Sequence, residues 1–160
     1  MKRYLVWRVM AVVMLGFGWA QAADWPQYGG PDRNNVSSEK GLARKWPEAG
    51  PKVLWTVNLG PGYASPSIAG GRVYILDRPD DVHDVLRCLD IKDGKDIWNV
   101  TYEAPGSVSH NGSRTAPTVD GQYVYSVGLL GHFYCVDLAT NRPVWHKNIC
   151  ADFGLEVPRW

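Results

Sequence analysis

Val73-Tyr74-Ile75-Leu76 runs four apolar or aromatic residues without a polar break. A strand with one solvated face alternates; an unbroken run rich in β-branched and aromatic residues predicts a strand covered on both faces. Shorter stretches of the same character recur downstream. Gly70-Gly71, Asp93-Gly94 and Asp120-Gly121 separate them as hairpin signals. The pattern predicts two sets of four strands. The first set is 67–69, 72–76, 85–90 and 96–100; the second is 118–119, 123–128, 133–137 and 143–147.

The second set copies the first. Ser65-Pro66-Ser67-Ile68 answers Ala116-Pro117-Thr118-Val119, Cys88-Leu89-Asp90 answers Cys135-Val136-Asp137, and Trp98 answers Trp145. The offset is 51 early (66 to 117) and 47 late (98 to 145), so the first copy carries four extra residues. They fall between Tyr74 and Cys88, around Asp77-Arg78-Pro79-Asp80-Asp81, which reads as a polar, solvated loop. Four-stranded units repeating every ~40–50 residues, each covered by its neighbours, are the blades of a β-propeller. The expected fold is therefore all-β: about two four-stranded blades, near 63–100 and 114–149, within a partial propeller over 51–160. Lys52-Val53-Leu54-Trp55-Thr56-Val57 adds an outer-strand copy with no partner strands before it, read as an N-terminal latch strand. A ring needs about 4–8 blades, so two blades and a latch imply a longer propeller.

Composition agrees. Gly and Pro total 28 of 160 residues, and eight Trp with eight Tyr supply large flat surfaces for a sheet core. The net charge of +1 excludes a basic nucleic-acid binder as the default reading. Lys2, Arg3 and Arg8 precede an uncharged, mostly apolar stretch from Val9 to Trp19, and Ala20-Gln21-Ala22 ends it with small residues. That is the layout of a cleaved signal peptide over 1–22, followed by a lead-in segment over 23–50. The apolar stretch is shorter than the ~20 residues of a membrane span. The expected location is secreted or periplasmic, with no transmembrane span after cleavage.

Cys88-Leu89-Asp90-Ile91-Lys92-Asp93-Gly94-Lys95-Asp96-Ile97-Trp98 resembles the A-x-D-x-x-x-G-K-x-x-W signature of pyrroloquinoline quinone (PQQ)-like propeller repeats, with Cys for Ala. A looser copy runs from Cys135 to Trp145, with Asn141 for Gly and Arg142 for Lys. Trp25-Pro26-Gln27-Tyr28-Gly29-Gly30-Pro31 looks like the start of exported quinoprotein-alcohol-dehydrogenase-like propellers. The resemblance implies structural roles for Asp90, Gly94, Trp98, Asp137, Asn141 and Trp145. The Asp accepts turn amides, the Gly or Asn takes a left-handed turn position, and the Trp docks between blades. Resemblance to the propeller of the outer-membrane protein assembly factor implies a binding or assembly scaffold. Resemblance to the dehydrogenases implies an oxidoreductase using PQQ and calcium. A polysaccharide- or protein-binding module is a third reading.

No residue pattern indicates catalysis. The serines lack a G-x-S-x-G elbow, the glycine pairs lack a following GK[ST], and three cysteines without CxxC spacing make no zinc framework. His83 stands among aspartates but without a D-x-D-x-D-G loop. Cys88 and Cys135 hold equivalent positions in adjacent blades, too far apart for a disulfide, and read as small buried fillers. The dehydrogenases of this architecture carry adjacent cysteines; no Cys-Cys pair occurs here, so no cofactor is expected. Tyr63 and Arg114 precede the innermost strands at corresponding points, with His110 and Asn111 on the approach loop. These four are the candidate ligand-facing residues, for a protein or small-molecule ligand at the propeller channel.

Overall fold

The computed structural model describes residues 23–157; the leader read over 1–22 lies outside the described residues. Among the described residues, eight strands build two four-stranded antiparallel sheets. The first is β1 (Ser67–Ala69), β2 (Arg72–Asp77), β3 (His83–Asp90) and β4 (Asp96–Glu103), in that order. The second is β5 (Thr118–Asp120), β6 (Tyr123–Val127), β7 (His132–Asp137) and β8 (Arg142–Asn148). The sheets are neighbouring blades of a β-propeller segment. Their registers repeat: Tyr74 pairs Cys88 and Cys88 pairs Trp98, as Tyr125 pairs Cys135 and Cys135 pairs Trp145. Each blade breaks register at the same point, between Cys88 and Leu89 and between Cys135 and Val136.

The core is the seam between blades. Tyr74, Leu76, Leu86, Cys88 and Trp98 of the first blade pack on Val124 and Val136 of the second. Burying a Leu or Val of this kind stabilises by about 1.5–3 kcal/mol, so the seam binds the blades together. Cys88 is wholly buried and its thiol is pushed up to about 11 by that burial, so it stays neutral. Cys88, Cys135 and Cys150 are all free thiols.

The hairpin turns follow from residue type. Asp90 accepts from Lys92 N at 2.7 Å, and Asp137 accepts from Ala139 N at 2.7 Å. Gly94 and Asn141 hold the left-handed positions at φ 71° and 57°. Trp55 lies flat on the Gly94 turn and donates from Nε1 to Ile91 O at 2.9 Å. The segment around Trp55 joins neither sheet.

Two features differ from the sequence reading. The β2–β3 segment is not merely solvated. Arg78 is fully buried, bonded to Asp84 at 2.8 Å and to Ala104 O at 3.0 Å, and also to Gly106 O. Pairing makes Asp84 tolerable in the interior, so β3 begins at His83 rather than 85, and β4 runs to Glu103 rather than 100. After β8 the chain makes a one-turn helix, α1 (Ile149–Phe153). The Asn148 side chain accepts from Ala151 N and Gly154 closes the helix at φ 63°.

Candidate functional site

The residues that precede the two inner strands run side by side. Tyr63 N donates to Ser113 O at 2.7 Å, and Gly62 bridges Ser113 in parallel. Glycine is required at this crossing. A Cβ on Gly62 would stand 2.6 Å from Ser113 Oγ, and one on Gly112 would stand 2.2 Å from Pro61 O. The sequence therefore brings Tyr63 and the loop His110-Asn111-Gly112-Ser113-Arg114 to one rim, at the end of the blades where β1 and β5 begin.

The four candidate residues divide by what their polar atoms do. Arg114 donates to His110 O at 2.6 Å, which folds the loop back on itself. Asn111 donates to Asp81, tying the rim to the β2–β3 loop of the first blade. Asn111 Oδ1 and Arg114 Nε are buried without partners. Tyr63, by contrast, is 65% exposed, and His110 is exposed. The rim thus has two inward-bonded members that fix its shape and two outward rings that can touch a ligand. Sequence reasoning missed Asp81 and Ser113, which hold the rim from the other side. Their only signal was position: Asp81 in the four-residue insertion, Ser113 one residue before Arg114.

Beside the rim, His83 Nδ1 stands 3.0 Å from Asp80 Oδ2. This contact, with the amides of Val82 and His83, lowers the exposed Asp80 carboxyl to about 2. Among the described residues, no three His, Cys, Asp or Glu side chains come together as a metal-binding group. The residues present do not fit a flat tricarboxylated quinone. The one candidate guanidinium, Arg114, is engaged by a carbonyl, and Tyr63 stands out in solvent rather than lying as a floor. Among the described residues, no helix is long and apolar enough to cross a membrane.

Residues 5–154 match the family model described as outer membrane protein assembly factor BamB. Among curated proteins, none matches the chain. Among solved structures, BamB from Moraxella catarrhalis is 24% identical with a TM-score of 0.42, covering 59% of this chain and 26% of that one. Quinohemoprotein alcohol dehydrogenase from Comamonas testosteroni is 22% identical with a TM-score of 0.57, covering 82% of this chain and 20% of that one. Quinohemoprotein alcohol dehydrogenase ADHIIG from Pseudomonas putida is 20% identical with a TM-score of 0.45, over 61% and 15%. The chain therefore spans between 15% and 26% of the length of these proteins. The Comamonas likeness is one of fold.

Proposed function

We propose, from the premise that this chain belongs to the outer membrane protein assembly factor BamB family, that it is part of an exported propeller serving as a binding or assembly scaffold. The observation that carries the reading is the family match, which runs through the leader-like segment, the lead-in and both blades. The rim supports it. Arg114 and Asn111 spend donors on holding the loop, leaving Tyr63 and His110 to meet a partner. An exposed aromatic ring and an exposed imidazole on one rim, held by a fixed backbone, suit a protein surface or an extended peptide. In this reading the protein works in the periplasm or at the outer membrane, without a catalytic group or cofactor of its own.

The test uses two titrations of the same full-length protein. In the first, a fluorescent peptide with the alternating pattern of an outer-membrane β-strand is the probe. Binding is expected, weakened about tenfold by Tyr63→Ala, a loss of roughly 1.4 kcal/mol. In the second, PQQ with calcium is followed by absorbance, and no saturable change is expected. Saturable PQQ uptake that Arg114→Ala abolishes would replace the scaffold with the oxidoreductase reading.

A further inference from the structure

The seam between the blades is apolar along most of its length, but its end nearest the rim is polar. Asp84 is fully buried, Ser126 is 2% exposed and Tyr102 is 7% exposed. Asp84 and Tyr102 are cross-strand partners in the first blade, while Ser126 sits on β6 of the second. Asp84 Oδ1 is bonded to Arg78, yet Asp84 Oδ2, Tyr102 Oη and Ser126 Oγ are each buried without a well-formed hydrogen bond, and the Ser126 hydroxyl lies close enough to Tyr102 to act on it. The three are close together. The point where a Cβ on Gly128 would stand lies 2.1 Å from Asp84 Oδ2 and 3.2 Å from Tyr102 Oη. Ser126 is two residues from Gly128 on the same stretch of chain.

These groups are not part of the repeat. Ser126 stands where the first blade has Ile75, 51 residues earlier. Asp84 and Tyr102 stand where the second blade has Gly131 and Ile149, 47 residues later. Neither copy needs these polar side chains to build a blade, so they are additions to the repeat, contributed to this seam from both sides. Three polar atoms left unpaired in one dry place would each cost about 1–3 kcal/mol. Buried water ordinarily resolves such a cluster, making about three hydrogen bonds to groups without other partners.

We propose that one ordered water molecule occupies the seam, donating to Asp84 Oδ2 and accepting from the hydroxyls of Tyr102 and Ser126. The occupant is uncharged, because Arg78 already neutralises Asp84. Of the ionisable neighbours on β7, His132 has its pKa lowered by burial and Tyr134, stacked on Tyr102, has its pKa raised by burial, so both stay neutral at pH 7. The water joins the blades through one hydrogen bond from the second and two from the first. It acts as a polar registration point that the apolar seam cannot supply.

The test is a crystal structure of the protein at a resolution that shows ordered solvent. The expected result is a single solvent peak within hydrogen-bond distance of all three oxygens. Ser126→Val brings in the kind of apolar, β-branched residue the first blade has there, and the peak is expected to be lost. The wild-type map is decisive even if that variant does not fold. Tyr102 Oη bonded directly to Asp84 Oδ2 or to Ser126 Oγ, with no peak between the blades, would overturn the proposal. So would a peak with the short contacts and calcium dependence of a cation.

Discussion

A Cβ on Gly94 would stand 2.6 Å from the Trp55 ring, and the residue is held at φ 71°. Both the packing and the backbone exclude a side chain there. The second blade tests the same position with Asn141, at φ 57°. In that seam the Trp98 ring is buried but its Nε1 has no partner, whereas Trp55 Nε1 reaches Ile91 O. Gly94→Ala is therefore expected to cost about 1–3 kcal/mol by overpacking, read from a urea transition with Trp fluorescence. Asn141→Gly should not destabilise to that degree. A second residue-scale expectation concerns Arg78. Arg78→Met leaves Asp84 buried and unpaired, at a cost of about 3–5 kcal/mol. A loss below about 1 kcal/mol in the same assay would show that Asp84 reaches solvent. This pair was not legible in the sequence. Asp77-Arg78-Pro79-Asp80-Asp81 has the composition of a solvated loop, and nothing local says that one guanidinium will turn inward to three partners.

At the level of elements the sequence was more informative, because each signal occurs twice. One Asp-x-x-x-Gly turn is weak; that turn with an Asp-x-x-x-Asn copy in phase, and with matching cysteines and tryptophans, defines a sheet and its register. The two registers are the same down to the bulge after the cysteine. What escaped was set by tertiary partners: the longer β3 and β4, which depend on the buried ion pair, and α1, whose cap is a single Asn. Of the candidate site, the meeting of Tyr63 with the 110–114 loop was legible from the repeat offset. The inward bonding of Arg114 and Asn111 was not, since a side chain's choice between solvent and a carbonyl leaves no trace in spacing. Packing of β7 on the first blade also fixes a pH dependence. Burial lowers the pKa of His132, so below its ordinary value the unfolded chain takes up the proton more readily than the native one. Stability is therefore present above about pH 6.5 and declines as pH falls through the window beneath it. His132→Gln should flatten that part of the pH–stability curve. An unchanged slope in the variant would place the titration elsewhere.

For the whole molecule, the first blade's seam face shows what the second blade's opposite face is built for. Tyr74, Leu76, Leu86 and Trp98 are buried against the second blade, at 2%, 1%, 0% and 9% exposure. Their counterparts by register are Tyr125, Val127, Phe133 and Trp145. Here Trp145 is 40% exposed, and the rings of Tyr125, Phe133 and Trp145 pack on each other, with Tyr123 beside Tyr125. Tyr125, Val127 and Phe133 line an apolar groove with Thr115, Ala116 and Thr118. Such a face shields itself by pairing with another apolar surface. The β4 and β8 edges add unpaired backbone donors and acceptors. Residues 23–160 on their own are thus expected to self-associate at micromolar concentration, with a sedimentation mass that rises with concentration. Trp145→Lys places a charge in the middle of that face. It should shift association to at least tenfold higher concentration while leaving the far-ultraviolet spectrum of the sheets unchanged. A wild-type chain that stays monomeric and unfolds cooperatively across that range would mean that this face is stable in water. The inference from the first blade to the second would then fail.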